Sequence, residues 1–376
     1  MVNHENRLTK AFIHLGRLTH NLNLLQSLVG DRPLWPCIKG SAYGHESQIV
    51  ARHLTGLGYH TLGVADVGEA IVLLEAGIEA TFIVLSETLP EHSEALILHG
   101  CEPTVSTLRM AEELSRDAQR LGRRVSVHLK VDTGMGRVGM RPEEVRAFLE
   151  RCGELPGLRV RGIMSHFPRA DEADKSYSLE QIDRFRRVIE AARDHGIEFR
   201  HMANSAAIFD LPASYFDAAR PGISIYGLRP SAEIRNPRVN ELQPVLEWKT
   251  RVTFLKEVPE GTGLSYGHAF HTTRPSLIAT IPAGYADGLS RNLSNRFDLL
   301  IRGVRCPQVG RVTMDMTLVD VTKLRGEVEL GDEVVIIGRQ DTEEVTADEL
   351  AGKLGTINYE VVTGISHRVP RVAVAD

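Results

Sequence analysis

Four basic side chains follow short apolar runs of the sequence, at positions where the strands of a βα-repeat protein would end. They are Lys39, Lys130, Arg137 and Arg220. One lysine or arginine at a strand end is usually solvated, but four around one opening repel one another unless anions lie between them. The sequence therefore predicts a cavity that binds a negatively charged ligand.

Small polar residues follow two further apolar runs. Ser205, Gly222 and Ile223 come after the seventh and eighth predicted strands, where barrel proteins commonly hold a phosphate on backbone N–H groups. A phosphorylated cofactor fits such a site. If that cofactor is an aldehyde, a lysine across the opening could form an imine with it, and Lys39 is the candidate.

The elements that would position these residues begin near residue 34, where short apolar runs start to alternate with longer amphipathic ones. Apolar positions recur at every third or fourth residue within 108–121 and 179–195, which indicates helices. Eight strands are predicted, over residues 34–39, 61–65, 81–85, 101–105, 125–131, 159–165, 199–203 and 222–226. Eight strand–helix pairs in roughly 200 residues are typical of a (β/α)8 barrel, whose active site lies at the C-terminal ends of the strands.

After about residue 235 the pattern changes to short strands separated by glycine and proline, which is typical of antiparallel β structure. The predicted strands cover residues 247–255, 277–281, 299–302, 317–321 and 334–337. Residues 346–354 alone look helical in this half, and residues 11–15 could belong to either part. We therefore predict an α/β chain with a (β/α)8 TIM-type barrel over residues 12–238 and a mostly antiparallel β domain formed by residues 1–11 and 239–376.

The composition excludes several classes of protein. The 376 residues carry a formal net charge of −5 with no dense basic cluster, so we expect no nucleic-acid partner. No stretch approaches the roughly 20 apolar residues of a membrane span, and we expect no membrane partner and a cytoplasmic location. The four cysteines lack the spacing of a disulfide framework or a thiolate site, and His268 and His271 lack a third ligand, so no metal is predicted.

Five motifs resemble those of the alanine racemase family and occur in the same order. The segment KGSAYGH at residues 39–45 resembles the pyridoxal-phosphate lysine motif of that family. The other four are VDTGMGRVG at 131–139, NSAA at 204–207, RPGI at 220–223 and VGRVTMD at 309–315. The resemblance covers nearly the whole chain, and five motifs in order make coincidence remote.

The resemblance implies a pyridoxal 5′-phosphate-dependent enzyme that interconverts L-alanine and D-alanine, and a homodimer in which the partner chain completes each active site. It implies that Lys39 and Tyr266 are catalytic. The expected cofactor-binding residues are Lys39, Tyr43, His166, Asn204, Ser205, Arg220, Gly222, Ile223 and Tyr359. The expected substrate-binding residues are Arg137, Met314 and Asp315, and those of a gate at the substrate channel are Asp171, Arg291, Arg311 and Ile357.

Racemisation requires two bases. The α-proton leaves one face of the substrate and a proton returns to the other, and one lysine on one side of a planar cofactor cannot easily do both. Tyr266 is the candidate for the second base, with Tyr226, Tyr285 and Tyr359 as competitors. Both side chains are ordinarily protonated at neutral pH, and the cations of the site would favour loss of that proton.

Two cations in the motifs have special consequences. Arg220 would face the pyridine nitrogen and, being always charged, leave that nitrogen unprotonated, which weakens the electron sink and suppresses transamination. Lys130 would place a second cation beside Arg137. In many members of the family this lysine is carbamylated by carbon dioxide, which inverts its charge, and we carry that modification over to Lys130 as a hypothesis.

The lysine motif departs from the usual pattern of the family, Lys-Ala-Asp/Asn-Ala-Tyr-Gly-His-Gly. Gly40, Ser41 and Glu46 stand at three of its positions, which leaves the substrate range beyond alanine open. The sequence also leaves two roles open, D-alanine biosynthesis and alanine catabolism. Two other functions stay open. An amino-acid decarboxylase of the same architecture would not require Tyr266, and a non-catalytic pyridoxal-phosphate carrier would resemble proteins that stop after the barrel.

Overall fold

The computed structural model describes residues 6–375, and contacts within the chain divide it into two compact units. The barrel unit comprises Leu18–Gln243, and the β unit comprises the described residues up to Arg17 together with those from Pro244 onward. Strand β1 (Lys10–His14) opens the described chain and is followed by helix α1 (Leu15–Val29). The functional division predicted over residues 12–238 and 239–376 is a proposal that we argue below.

A parallel sheet forms the centre of the barrel unit. Its strands are β2 (Thr61–Val64), β3 (Thr81–Val84), β4 (Glu102–Val105), β5 (Val125–Lys130), β6 (Leu158–Met164) and β7 (Phe199–His201), paired in that order. Isolated parallel bridges join His201 to Ala218, Leu34 to Ala219 and Cys37 to Gly63. These bridges place two further chain segments between β7 and β2, so the sheet closes into the predicted eight-membered (β/α)8 barrel.

Helices alternate with the strands of the barrel unit. They are α3 (Ser47–Gly56), α4 (Val67–Glu75), α5 (Ser93–Leu98), α6 (Leu108–Arg120), α7 (Val145–Gly153), α8 (Ser176–Ala191) and α9 (Ser205–Asp210), and they are preceded by the short left-handed turn α2 (Lys39–Tyr43). In α6, the Thr107 side chain accepts a hydrogen bond from the Met110 N–H and satisfies one of the free donors of the first turn. Met110, Leu114 and Ala118 then recur on one buried face, as the sequence pattern predicted.

Two of the eight predicted strands are wrong in detail. Residues 34–39 contribute only bridges, and Lys39 already begins α2. The predicted strand over residues 222–226 is a short helical turn, Ile223–Tyr226, and the eighth position of the barrel is taken by the segment around Ala218 instead. The Ser205 hydroxyl accepts hydrogen bonds from backbone N–H groups of the predicted strand, which removes donors that a strand would need for its ladder.

The β unit contains a large sheet. Its strands after β1 are β8 (Leu246–Arg251), β9 (Phe254–Val258), β12 (Ser276–Ile281), β13 (Asp298–Ile301), β14 (Val304–Val309), β15 (Thr317–Asp320), β16 (Glu333–Gln340), β17 (Glu343–Val345) and β18 (Arg371–Val374), and a hairpin is formed by β10 (Gly263–Leu264) and β11 (Phe270–His271). The order is β18-β1-β8-β16-β13-β14-β15-β12-β9, with β17 on β16. All pairs are antiparallel except β1 with β18, as predicted.

Three details of the β unit differ from the sequence prediction or complete it. Residues 11–15, left open, mostly form β1 of this sheet. The single strand predicted over 247–255 is two strands, because Val252 bonds to Asp332 and the next residue bonds to Thr280 on a different neighbour. The predicted helix is α10 (Ala347–Leu354), and α11 (Asn358–Thr363) is a second helix that the pattern missed. Among residues 6–375, no helix has the length and hydropathy needed to cross a membrane.

Candidate active site

Arg220 lies inside the barrel unit, with 5% of its surface exposed. Its Nη2 donates to the Ser165 carbonyl oxygen over 2.9 Å, and its Nη1 lies 2.5 Å from His201 Nδ1. Burial lowers the pKa of Arg220 to about 10, so the guanidinium is still charged at neutral pH. A buried cation of this kind needs an anionic or strongly polar partner in the cavity that it faces.

Lys130 ends strand β5 and is buried beside the other predicted cations. Burial, and then the charges of Arg220 and Arg137, lower the pKa of Lys130 well below its usual value; Lys39 lowers it as well. Lys130 therefore lies within electrostatic range of the other three basic residues of the sequence analysis. Because the amine loses its proton more easily, a larger share of it is neutral and nucleophilic at a given pH than in an exposed lysine.

His166 follows strand β6 in the same group. Burial lowers its pKa well below the usual value, and the neighbouring charges of Lys130 and Arg220 act in the same direction. Its carbonyl oxygen accepts a hydrogen bond from the Gln181 side chain on α8. His166 is therefore a neutral imidazole at neutral pH, able to donate with one nitrogen and accept with the other.

The loop that carries Arg137 is held by a carboxylate that the sequence analysis did not single out. Asp132 Oδ1 accepts hydrogen bonds from the N–H groups of Gly134, Met135 and Gly136 over 2.8, 2.8 and 3.1 Å. Tyr177 on α8 donates to the Gly134 carbonyl oxygen over 3.0 Å. This Asx-type turn fixes the backbone just before Arg137.

Tyr43, Ser205 and Gly222 come together at the predicted phosphate position. Ser205 Oγ accepts from the N–H groups of Gly222 and Ser224 over 2.9 and 3.3 Å. A Cβ at position 222 would lie 2.3 Å from the Tyr43 hydroxyl oxygen, so only glycine permits this approach. Asn204 precedes Ser205 and caps α9 through the Ala207 N–H, and Ile223 begins the turn that follows Gly222.

Lys39 is followed by a left-handed turn. The φ angles of Gly40, Ser41, Ala42 and Tyr43 are 61°, 50°, 55° and 53°, a conformation that costs roughly 1–2 kcal/mol for each residue with a Cβ. The Glu69 carboxylate holds the turn, since it accepts from the N–H groups of Gly40 and Ala65, each over 2.7 Å. The turn carries the chain directly from Lys39 to Tyr43, and Glu69 is a supporting residue that sequence reasoning missed.

Tyr266, Met314 and Asp315 belong to the β unit and project from it. Tyr266 follows β10 and is 72% exposed, and Met314 is 53% exposed. The supporting backbone is well connected: Ser265 Oγ donates to the Arg311 carbonyl oxygen over 2.7 Å, and Arg368 donates to Asp315 over 2.8 Å. These side chains are therefore presented on a fixed surface.

The remaining predicted residues are divided between the two units. Asp171 belongs to the barrel unit, whereas Arg291, Arg311, Ile357 and Tyr359 belong to the β unit. Ile357 immediately precedes α11 and is exposed, and Tyr359 lies in that helix. Their roles in the gate and at the phosphate stay predictions.

Two family models match the chain, one for each unit. The model for the alanine racemase N-terminal domain matches residues 13–230, and the model for the alanine racemase C-terminal domain matches residues 245–373. Among curated relatives, the alanine racemase of Halothermothrix orenii is 45% identical over 368 residues, which cover 97% of this chain and 96% of the relative. Alanine racemase 2 of Caldanaerobacter subterraneus subsp. tengcongensis is 42% identical and covers 98% and 95%.

Solved structures give the same result. Alanine racemase from Clostridium difficile 630 superposes with a TM-score of 0.93 at 36% identity, covering 98% of this chain and 96% of that one. Alanine racemase from Bacillus anthracis with bound L-Ala-P has a TM-score of 0.91 at 36% identity, with the same coverage. These similarities extend over both units.

Proposed function

The chain belongs to the alanine racemase family, and on that premise we propose that Lys39 and Tyr266 are the two bases with which it interconverts L-alanine and D-alanine. The enzyme is a pyridoxal 5′-phosphate-dependent isomerase, and the resemblance inferred from five motifs is confirmed. The observation that carries the assignment of the site is the grouping of Lys130, Arg220 and the Tyr43–Ser205–Gly222 cluster in one barrel unit.

The comparisons favour neither alternative function. Relatives named alanine racemase match 96–98% of the chain. The family model for the C-terminal domain covers residues 245–373, and a carrier consisting of a barrel alone would lack this part.

The residues present in the barrel fit the cofactor. We propose that Tyr43, Ser205, Gly222 and Ile223 hold the phosphate, where hydroxyl and N–H groups meet and a Cβ at position 222 would close the space. Tyr359, His166 and Asn204 complete the proposed set, and Lys39 would hold the aldehyde carbon covalently. When bound, pyridoxal phosphate withdraws electrons from the α-carbon of the substrate and makes its C–H bond acidic.

Arg220 is the proposed partner of the ring nitrogen. Its guanidinium only donates hydrogen bonds and stays charged at neutral pH, so it would occupy the lone pair of that nitrogen without protonating it. This limits the charge that the ring absorbs. Arg220 thereby favours rapid return of a proton over transamination or elimination.

The two bases act on opposite faces of the α-carbon. The Lys39 amine takes or returns a proton on the face where it is tethered, and the Tyr266 hydroxyl does so on the other. We propose that Tyr266 reaches the site from the partner subunit of a homodimer, with Met314 and Asp315 beside it to bind substrate. Large exposed apolar side chains such as Tyr266, Met314 and Met316 are typical of a protein interface.

Lys130 is the proposed site of carbamylation. Its neutral amine would attack the carbon of carbon dioxide. An N–C bond forms, one C–O π bond becomes a lone pair on oxygen, and the nitrogen releases one proton, so that a neutral amine becomes an anionic carbamate. Burial, and then the charges of Arg220 and Arg137, depress the pKa of Lys130, and the negative carbamate would balance those two charges. Arg137 would then be held in position to bind the substrate carboxylate.

Two further proposals concern access and location. We propose that Asp171, Arg291, Arg311 and Ile357 form a gate at the substrate channel of the dimer. We also propose a cytoplasmic location, which is supported by the four buried free thiols among the described residues, since such thiols are typical of reducing compartments.

Incubation of the purified protein with L-alanine in heavy water tests the function. We expect formation of D-alanine until both enantiomers are equal, with deuterium at the α-carbon of each. Release of carbon dioxide would instead indicate a decarboxylase, and bound cofactor without exchange would indicate a carrier. The same assay with L-serine and longer amino acids defines the substrate range.

A further inference from the structure

A continuous chain of buried polar side chains leads away from Arg220 through the barrel interior. His201 Nδ1 lies 2.5 Å from Arg220 Nη1, and His201 Nε2 lies 2.9 Å from His128 Nδ1. His128 Nε2 lies 2.9 Å from Glu102 Oε2. At the far end, Arg161 Nη1 donates to the other oxygen of Glu102.

The ends of the chain determine where each proton lies. Arg220 can only donate, so His201 must accept with Nδ1 and carry its proton on Nε2. His201 then donates to His128 Nδ1, which places the proton of His128 on Nε2. That proton is donated to Glu102, which as a carboxylate can only accept. Every hydrogen bond therefore points from Arg220 toward Glu102.

The two histidines are neutral. Burial, and then the charge of Arg220, lower the pKa of His201 well below its usual value. Burial also lowers the pKa of His128, although Glu102 opposes this. Burial raises the pKa of Glu102, but the hydrogen bond from His128 and the charge of Arg161 lower it below its usual value. The chain thus joins a buried cation to a buried anion through two neutral rings.

The surrounding side chains fit this arrangement closely. The Trp35 ring packs edge-on against His201 and His128, with centroids 4.9 and 5.8 Å apart, and keeps water from the imidazoles. On the neighbouring strand, a Cβ at Gly162 would lie 2.1 Å from His128 Nδ1. A glycine inside a strand weakens it, and here its missing side chain is the space that His128 occupies.

We propose that Glu102 is a positioning residue of the active site, which acts through His128 and His201 to hold Nη1 of Arg220 at His201 Nδ1 and thereby to orient the guanidinium. This inference rests on the proposed function, in which Arg220 faces the cofactor. Glu102 itself lies three side chains from that point and does not touch substrate or cofactor. Its effect is to fix the Nε2–H tautomers of both histidines, in which His201 Nδ1 accepts a hydrogen bond from Arg220.

The substitution Glu102→Gln tests this direction of hydrogen bonding. The amide oxygen would turn to Arg161, because a cation attracts the oxygen more strongly than a neutral imidazole does. The amide NH2 would then face His128, and both histidines would have to move their protons to Nδ1. His201 would present a donor to Arg220, and the hydrogen bond of 2.5 Å would be lost.

Two readouts on the holoenzyme follow this change. Nitrogen NMR of ¹⁵N-histidine-labelled protein, which has 15 histidines, should show two neutral Nε2–H rings in the wild type that become Nδ1–H in E102Q. The kcat for alanine should fall about tenfold, as loss of one buried hydrogen bond implies. The absorption spectrum of the bound cofactor should change as well, because its nitrogen partner has moved.

Removal of Arg161 supplies a rescue that a merely structural role does not predict. In the double variant E102Q/R161M, the amide oxygen is free to turn to His128 and restore the original tautomers. We expect the double variant to regain most of the lost kcat, and R161M alone to resemble the wild type. E198Q is the matched control, since Glu198 contacts Arg161 at 3.5 Å from the exposed side.

The possible results distinguish failure of this inference from failure of the proposed function. Unchanged tautomers in E102Q, or a double variant as impaired as E102Q, would overturn the inference. If E102Q does not fold, the wild-type holoenzyme still decides, because a charged or Nδ1–H form of either buried ring contradicts the chain. A wild type that fails to racemise alanine but shows both Nε2–H rings would defeat the proposed function and leave the tautomer assignment standing.

Discussion

The two units present the residues proposed for the site in opposite ways. In the barrel unit, Arg220 and Lys130 are almost completely buried, and Ser205 is bonded to the backbone around it. In the β unit, Tyr266 and Met314 stand largely exposed on a surface whose backbone is fixed. The barrel part of the proposed site is therefore enclosed within its own unit, whereas the proposed residues of the β unit are exposed on its surface.

This difference indicates how the work of catalysis is divided. Buried cations need their anionic ligand, so the barrel side is expected to bind the cofactor even when the β side is altered. Water contacts the hydroxyl of an exposed tyrosine in place of substrate. Such a tyrosine is therefore expected to act as a base on substrate only when another surface covers it. Perturbing each side in turn should therefore give different failures.

Replacement of Lys39 should have the largest effect. In Lys39→Ala the cofactor loses its covalent anchor and the substrate loses one base, so racemisation of both enantiomers should fall by on the order of 10⁴-fold or more. A chiral assay measures this. Lys10→Ala, a change in the β unit, is the control and should retain wild-type activity. Substantial activity in Lys39→Ala would remove the barrel side from the mechanism.

Replacement of Tyr266 should impair chemistry and leave cofactor binding intact. In Tyr266→Phe we expect kcat to fall about 10²- to 10³-fold, while the absorbance of bound cofactor stays at the wild-type level. Tyr285→Phe is a matched control, because Tyr285 is another exposed tyrosine of the same unit. Loss of cofactor from Tyr266→Phe, or equal impairment of both variants, would contradict the division between the two sides.

Replacement of Lys130 tests the proposed carbamylation in the barrel unit. Lys130→Met should raise the KM for alanine about tenfold, because Arg137 loses the anion that orients it. Carbon NMR with ¹³C-bicarbonate should show one carbamate signal for each wild-type chain and none for the variant. Since the pKa of Lys130 is depressed, a reactive neutral amine persists to lower pH than for an exposed lysine. Absence of the signal would count against the proposal.

Most of the barrel could be predicted because apolar periodicity is local. The features that the sequence did not predict depend on tertiary contacts and on backbone conformation, which apolar periodicity does not report. Residues 222–226 read as a strand, yet a hydroxyl at Ser205 takes their N–H groups, and nothing near residue 222 in the sequence reports this. The left-handed turn after Lys39 places three residues with a Cβ in a region that L-amino acids avoid, so only Gly40 hints at it.

The residues that support the proposed site leave a weaker signal in the sequence than those proposed to bind the ligand. Glu69 looks like an ordinary charge in the first turn of α4, although it holds the turn after Lys39. Glu102 carried a clearer signal, since a charged residue inside a buried strand needs a partner. Ser126, His128 and Lys130 alternate along β5 and so share one face of the strand. The link from His128 to Arg220, however, runs through His201 on β7, which the sequence near His128 does not reveal.

Mixed dimers test whether the two sides come from different chains. When Lys39→Ala and Tyr266→Phe subunits are mixed and allowed to exchange, half of the dimers should be hybrids with one intact site. Activity should then recover to about a quarter of the wild-type value, although each parent is nearly inactive. The recovery should depend on exchange, which mass spectrometry of the dimers can follow. A mixture with no more activity than its parents would place both bases in one chain.

The smallest expected effect concerns the β unit, whose interior is stabilised independently of the proposed interface. Glu247 on β8 is buried and pairs with Arg17 and Lys249 over 3.0 and 2.9 Å. Burial raises the pKa of Glu247, but hydrogen bonds from His14 and Lys249 lower it to about 2. A carboxyl whose pKa is lower in the folded than in the unfolded state stabilises the fold at any pH above its unfolded-state pKa. This contribution is lost as the pH falls toward the folded-state pKa of about 2.

Glu247→Gln should therefore lower the free energy of unfolding by about 2 kcal/mol at pH 7, which corresponds to roughly 5 °C in Tm. The difference from the wild type should shrink as the pH falls below about 4.5, because the wild-type carboxyl is then progressively protonated on unfolding and finally in the fold. Thermal unfolding between pH 7 and 3 measures this.

Glu344→Gln, which alters a largely exposed pair with Arg339, is the control and should change Tm little at any pH. A difference independent of pH would mean that packing, not charge, accounts for the loss. Unchanged racemase activity at 25 °C would show that the stability of the β unit and its proposed dimer interface are separable.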